Sequence, residues 1–309
     1  MSLSSTKNIV VHIGCMRCAS THLQALFNED PRIALMLKTR FFSYNPYYGK
    51  GFEYLNKVLS IDEKQEIIID SDENYSLGRF KHRLINYADK DFSYRKELSV
   101  IYHDIFSMAE RIKSIYPNAS ILMVIRNQAD WIKSVYKHDI QHFGIDSDFE
   151  SFLKSDLGIA YKQAADFNNL HSVYSSLFGR DNVKVLLFEN IRNYRNLFYK
   201  NLSEAVGLSL SPIDLNGKGK NASRSDSLIY FQRILNKISQ HDPDKKERKL
   251  YYYPKVLLSW SEKIIKNNFK RELVTAKQTQ TFKNEFVESN KALAREIQLH
   301  DQMEQSGYF

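Results

Sequence analysis

Apolar residues in the first two thirds of the chain fall into two patterns, short unbroken runs and longer stretches at helical spacing. Ile9, Val10, Val11 and Ile13 form the first run, the mark of a strand buried on both faces of a parallel sheet. A short loop, Gly14 to Ala19, follows it, and a helix then opens at Ser20-Thr21 and buries Leu23, Leu26 and Phe27. Residues 67–69, all isoleucine, predict a second strand ending in the acidic run Asp70-Ser71-Asp72-Glu73, a placement that suits the ligand edge of an open α/β sheet. Over 98–115 the spacing of Ile101, Ile105, Ile112 and Ile115 predicts a helix, which Pro117-Asn118 terminates. Residues 120–125 predict a third strand. It runs into Arg126-Asn127-Gln128-Ala129-Asp130, after which Trp131, Ile132, Val135 and Tyr136 recur at helical spacing. A single helix over about 158–178, closed by Gly179 as a left-handed cap, precedes a fourth strand at 183–188 that ends at Glu189. Another helix ends near Gly207.

Strands alternating with helices imply an α/β fold, an open parallel sheet flanked by helices. Beyond Pro212 the strand pattern stops. A polar, basic turn, Asn216-Gly217-Lys218-Gly219-Lys220-Asn221, leads into a helical extension broken around His241-Asp242-Pro243 and Pro254. The expected organisation is one domain over 1–309, with an α/β core at 1–212 and a helical C-terminal part at 213–309 packed on it. The aromatic, Gly-punctuated segment at 43–55 reads as a surface loop.

Composition narrows the class. With 43% hydrophobic residues and only 11 Gly and 6 Pro among 309 residues, disordered and low-complexity readings are excluded. A net charge of +8 and a pI of 9.2 favour an anionic partner, whether nucleotide, acidic sugar, nucleic acid or membrane surface. The basic stretch at 245–253 reads first as a solvated helix face, with an acidic glycan or a peripheral membrane contact as the alternative. Cys15 and Cys18 are the two cysteines, both in the opening loop, so no disulfide framework is expected and a reducing, cytoplasmic setting is the default. No apolar run reaches membrane-spanning length.

The opening loop carries the chemistry. A strand that turns tightly into a helix aims backbone N–H groups and the positive end of the helix dipole at one point, a pocket for phosphate or sulfate. Gly14-Cys15-Met16-Arg17-Cys18-Ala19-Ser20-Thr21 has the length and final hydroxyl of G-x-x-x-x-G-K-S/T, but Ala19 replaces the second Gly and Ser20 the lysine. Without that lysine a kinase or NTPase is the lesser reading, and Arg17 supplies a different cation inside the loop. A non-catalytic nucleotide or anionic-glycan binding protein is the other alternative. The Cys15-x-x-Cys18 spacing admits a redox reading beside the simpler one of small residues in a tight loop. His12, on the first strand, reads as a core or pocket-wall histidine, and Arg126 as either an anion ligand or an ion-pair partner of Asp130.

Met16-Arg17-Cys18-Ala19-Ser20-Thr21 resembles the opening loop of the sulfotransferases that use 3′-phosphoadenosine 5′-phosphosulfate (PAPS), where Lys or Arg precedes small residues and Ser/Thr-Thr. The stretch from Arg126 to Tyr136 resembles that family's R-N-P-x-D-x-x-x-S-x-Y, with only the Pro replaced, by Gln128. The likeness extends to 185–189, to the loop around 218–224 and to Ser289-Asn290. It implies a P-loop-type parallel sheet and sulfuryl transfer from PAPS to a hydroxyl, on a carbohydrate or glycolipid, leaving 3′-phosphoadenosine 5′-phosphate (PAP). No metal and no nucleic-acid partner is implied. By the same resemblance Arg17, Cys18, Ala19, Ser20 and Thr21 hold the 5′-phosphosulfate. Arg126 and Ser134 hold the 3′-phosphate, and Lys218, Lys220 and Arg224 belong to the donor-binding loop. Arg17 takes the catalytic cation's place, its role electrostatic because a guanidinium does not readily give up a proton. Counting back from Asn74-Tyr75 puts Asp70 in the place of the family's basic carboxylate, with Glu73 second and His103 third.

Overall fold

In the computed structural model, which describes residues 8–37, 64–76, 101–212, 224–240 and 271–309, the unbroken apolar runs become strands. β1 (Asn8–Gly14) leads through the loop into α1 (Ser20–Glu29), followed by β2 (Ile33–Leu37) and β3 (Ile67–Ser71), which ends in a 3₁₀ turn at Glu73–Ser76. Next come α2 (Ile101–Ile115), β4 (Ser120–Ile125), α3 (Gln128–Phe143), α4 (Phe149–Lys154), α5 (Asp156–Ala164) and α6 (Phe167–Phe178). β5 (Val183–Leu187), α7 (Asn190–Asn193) and α8 (Arg195–Val206) complete the alternation. After them stand α9 (Asp226–Gln240), α10 (Ala276–Asn284), α11 (Val287–Glu296) and α12 (His300–Gln305).

Among the described residues five strands form one parallel sheet in the order β2-β3-β1-β4-β5. β1 lies at the centre, with Val10 in register with Ile69 on one side and Ser120 on the other. Ile121 through Ile125 are all fully buried, which is why that run carries no polar alternation. Each such side chain contributes about 2 kcal/mol of burial free energy. From β1 the chain first builds leftward to β2 and β3, then returns to the other side for β4 and β5. The strand order therefore reverses between β1 and β4, and in open α/β sheets ligands bind outside the carboxyl ends of strands at such a switch point. Here those ends are Gly14 and Ile125.

Two features differ from the periodicity. β2 is a strand that the pattern does not announce, because IALML is only five residues long and a short apolar run does not distinguish strand from helix. The helix expected over 158–178 is two helices. Asp166 stands between them, its carboxylate accepting the Asn169 N–H at 3.1 Å and the Ser289 hydroxyl at 2.6 Å, so a new helix starts there. Gly179 has φ 86° and ψ 145°, outside the left-handed helical region expected of it, whereas Gly207 at φ 76° and ψ 22° is a left-handed cap.

Contacts divide the described residues into two compact units. The first takes those of Met1–Asn127, Gln163–Ile213 and Phe286–Phe309, the second those of Gln128–Lys162 and Asp214–Glu285. In the first unit α6 packs against α2 and α11. In the second, α3 packs against α9 and α10, and the Asn236 amide donates to the carbonyls of Ile140 and Ile145, both at 2.9 Å. No described helix is long and apolar enough to cross a membrane. The surface segment at 43–55 and the basic stretch at 245–253 lie outside the described residues.

Candidate functional site

The loop between β1 and α1 is held at both ends by backbone bonds, Cys15 N–H to the Val124 carbonyl at 3.0 Å and Leu23 N–H to the Ala19 carbonyl at 3.0 Å. Between them Gly14, Arg17 and Ala19 take positive φ of 92°, 62° and 64°. For Arg17 and Ala19 that conformation costs about 1–2 kcal/mol each, strain of the kind that collects at binding sites. A left-handed residue within such a turn gathers successive N–H groups into an anion-binding concavity. Ala19 is the N-cap of α1 and offers no side-chain cap, so the first-turn N–H groups are not taken up by a capping side chain. Ser20 is buried and its hydroxyl reaches the Cys15 carbonyl at 3.4 Å, while Thr21 is exposed.

The end of β3 lies against this loop. A Cβ on Gly14 would sit 2.8 Å from the Glu73 Cα and 3.0 Å from its carbonyl oxygen, so only glycine fits there. Glu73 is half-buried at that contact. Asp70 sits deeper, 1% exposed, and the Tyr75 hydroxyl donates to both its oxygens at 3.1 Å, with the Tyr116 hydroxyl at 3.4 Å. His12 is fully buried, its Nδ1 2.8 Å from the Ser71 hydroxyl, which also accepts from Gln24 at 3.2 Å. Burial pulls its pKa down to about 4, so it is a neutral core histidine.

Both cysteines are free and buried. Burial pushes the Cys15 thiol up to about 12, against the opposing hydrogen bond from Ser76. Cys18 is also raised well above the ordinary thiol value, by burial first and then by Cys15, Glu189 and Glu73, with Arg126 opposing. Protonated, buried thiols are poor nucleophiles, so the redox reading of the C-x-x-C spacing gives way to that of small residues in a tight loop.

Arg126 follows the end of β4. Its guanidinium lies over the Phe188 ring, 4.7 Å from the centroid, and Nη1 donates to the Arg17 carbonyl at 3.5 Å. Its Nε is buried with no hydrogen-bond partner among the described residues. Next to it, Asn127 donates its backbone N–H to Glu189 Oε1 at 2.9 Å and its side-chain amide to the carbonyls of Ser306, at 3.1 Å, and Gly307. The Tyr308 hydroxyl donates to Glu189 Oε2 at 3.1 Å. Burial raises the Glu189 carboxyl, with these hydrogen bonds and Arg126 opposing.

The first unit thus brings together Arg17, Cys18, Ala19, Ser20, Thr21, Arg126 and the backbone of Glu73, at the carboxyl ends of β1, β3 and β4. Ser134, half-buried on α3, and Arg224, half-buried ahead of α9, belong to the second unit. On α3 the neighbouring Lys133 and Lys137 both pair with Asp226. Lys218 and Lys220 lie outside the described residues, as does the side chain of His103, whose backbone is in α2. Sequence reasoning ended a strand at Glu189 but assigned no role to it, to Asn127 or to Tyr308. The strand-end position of Glu189 and the place of Asn127 in the stretch from Arg126 to Tyr136 were the signals for two of them, and Tyr308 had none. Among the described residues no group of His, Cys, Asp and Glu is arranged to hold a metal ion.

No protein-family model matches the chain, and no curated protein matches it in sequence. Solved structures do match. The sulfotransferase from Alicyclobacillus acidocaldarius superposes with a TM-score of 0.50 at 16% identity, over 76% of this chain and 96% of that one. The sulfotransferase domain from the curacin biosynthetic pathway matches at a TM-score of 0.44 and 12% identity, over 92% of this chain and 98% of that one. At such identities the likeness is one of architecture, and the fold of this chain, with its central parallel sheet and flanking helices, is sulfotransferase-like.

Proposed function

We propose that the protein transfers a sulfuryl group from PAPS to a hydroxyl, with a carbohydrate or glycolipid as acceptor. The observation that carries this reading is Arg126: a guanidinium stacked on Phe188, touching the strained loop through the Arg17 carbonyl, with a buried Nε that has no hydrogen-bond partner among the described residues. Such a group at a switch point suits a phosphate, which can satisfy the Nε–H and a neighbouring N–H together. The loop N–H groups and Ser20 and Thr21 suit a second anionic end of the same nucleotide.

When bound, PAPS supplies the sulfuryl group, whose sulfur passes in line from the bridging phosphate oxygen to the acceptor oxygen. Arg17 stabilises the charge that collects on the departing oxygen, and the loop N–H groups hold the phosphate in place. Glu73 takes the acceptor's proton. We favour it over Asp70, whose two oxygens already accept from Tyr75, while Glu73 stands beside the loop. His103 is the remaining candidate base. Arg126 holds the 3′-phosphate, and Ser134, Lys218, Lys220 and Arg224 are the further donor ligands that the motif resemblance implies.

Transfer of labelled sulfate from PAPS across a panel of glycans, glycolipids and phenols tests the reading. Arg126→Ala should weaken PAP binding on the order of 10²-fold, the worth of a charge-assisted pair lost from a half-buried site. Magnesium-dependent ATP turnover with no sulfuryl transfer would favour the kinase or NTPase reading instead.

A further inference from the structure

The Glu189 carboxylate joins three parts of the chain that lie far apart in sequence. One oxygen accepts the backbone N–H of Asn127, the residue after Arg126, and the other accepts the hydroxyl of Tyr308. Residues 306–308 return the contact, since the carbonyls of Ser306 and Gly307 accept the Asn127 amide. Tyr308 is fully buried and its own carbonyl accepts from Asn290 at 2.8 Å. Upstream, Gln302 and Gln305 accept from Asn190 at 2.8 Å and the Tyr194 hydroxyl at 2.9 Å, so α12 is tied along α7 before the tail turns in. Gly307 makes that turn at φ 73°, where a Cβ would lie 3.2 Å from the Asn127 amide nitrogen.

The consequence falls on Arg126. Asn127 is held through its backbone and its side chain, and Phe188, which carries the guanidinium on its ring, precedes Glu189 directly. We propose that residues 306–308 form a clasp that positions Arg126 for the 3′-phosphate of the donor, with Glu189 as the shared acceptor. Tyr308, Asn127 and Glu189 are positioning residues. A polar network inside a buried region costs desolvation, but it accepts only one geometry, which an arginine at a phosphate site needs and apolar packing alone does not impose. The clasp rests on the donor reading given to Arg126.

The test uses the full chain and two nucleotides, PAP and adenosine 5′-phosphate, which differ only in the 3′-phosphate. Dissociation constants for both are measured by calorimetry in the wild type, Tyr308→Phe, Asn127→Ala and Arg126→Ala, with thermal unfolding recorded alongside. Tyr308→Phe and Asn127→Ala should each weaken PAP about tenfold and leave adenosine 5′-phosphate within about twofold. Equal losses on the two nucleotides, or no loss on either, overturn the clasp. If Arg126→Ala leaves PAP binding unchanged, it is the donor reading that fails. Should Tyr308→Phe not fold, Asn127→Ala cuts the same clasp from its other end and decides the matter.

Discussion

Gly14 combines φ 92° with a backbone neighbour, Glu73, too close for any side chain. Gly14→Ala should therefore cost about 2–4 kcal/mol, the sum of left-handed strain and overpacking, read as a lowered midpoint in urea unfolding. His12 makes a pH-dependent prediction. Its folded pKa, about 4, lies below the ordinary 6.5, so the folded state binds its proton more weakly than the unfolded chain does. The stability this contributes is fully present above pH 6.5 and is lost as pH falls through 4. In His12→Gln, which does not titrate, the stability lost between pH 7 and pH 4 should shrink by about 3 kcal/mol. An unchanged pH profile would show that His12 is not buried neutral.

At the scale of elements, the apolar runs of β1, β3 and β4 were legible because strands buried on both faces need no polar alternation, and β5 was legible from Val185, Leu186 and Leu187 despite its exposed Lys184. The break between α5 and α6 was not, since helical spacing runs through it. A capping carboxylate decides there, and Asp166 is anchored by Ser289 from α11, 123 residues away. Asp166→Ala should destabilise the protein by about 1–2 kcal/mol, detectable in denaturant unfolding. Asp166→Asn, which keeps an acceptor for Asn169, should recover most of the loss. If Asp166→Ala unfolds like the wild type, the capping account is wrong.

Over the whole molecule, a charge of +8 and a site built on Arg17 and Arg126, as proposed, would make donor binding an electrostatic event. Raising salt from roughly 50 to 500 mM should weaken PAP binding in the wild type and do so less in Arg126→Ala, because screening removes what the substitution has already removed. By itself the sequence determined the alternation of strand and helix, the loop from Gly14 to Thr21 and the arginine at the end of β4, because burial periodicity and turn chemistry act over a few residues. Tertiary structure alone decided what surrounds them. The Asp70 carboxylate is engaged by Tyr75 and Tyr116, and both thiols are buried, which raises their pKa values. Glu189 meets Tyr308 across 119 residues and Asn127 meets Ser306 across 179. Contacts over such separations leave no trace in local spacing, since they exist only once the sheet has brought the strand ends and the tail together.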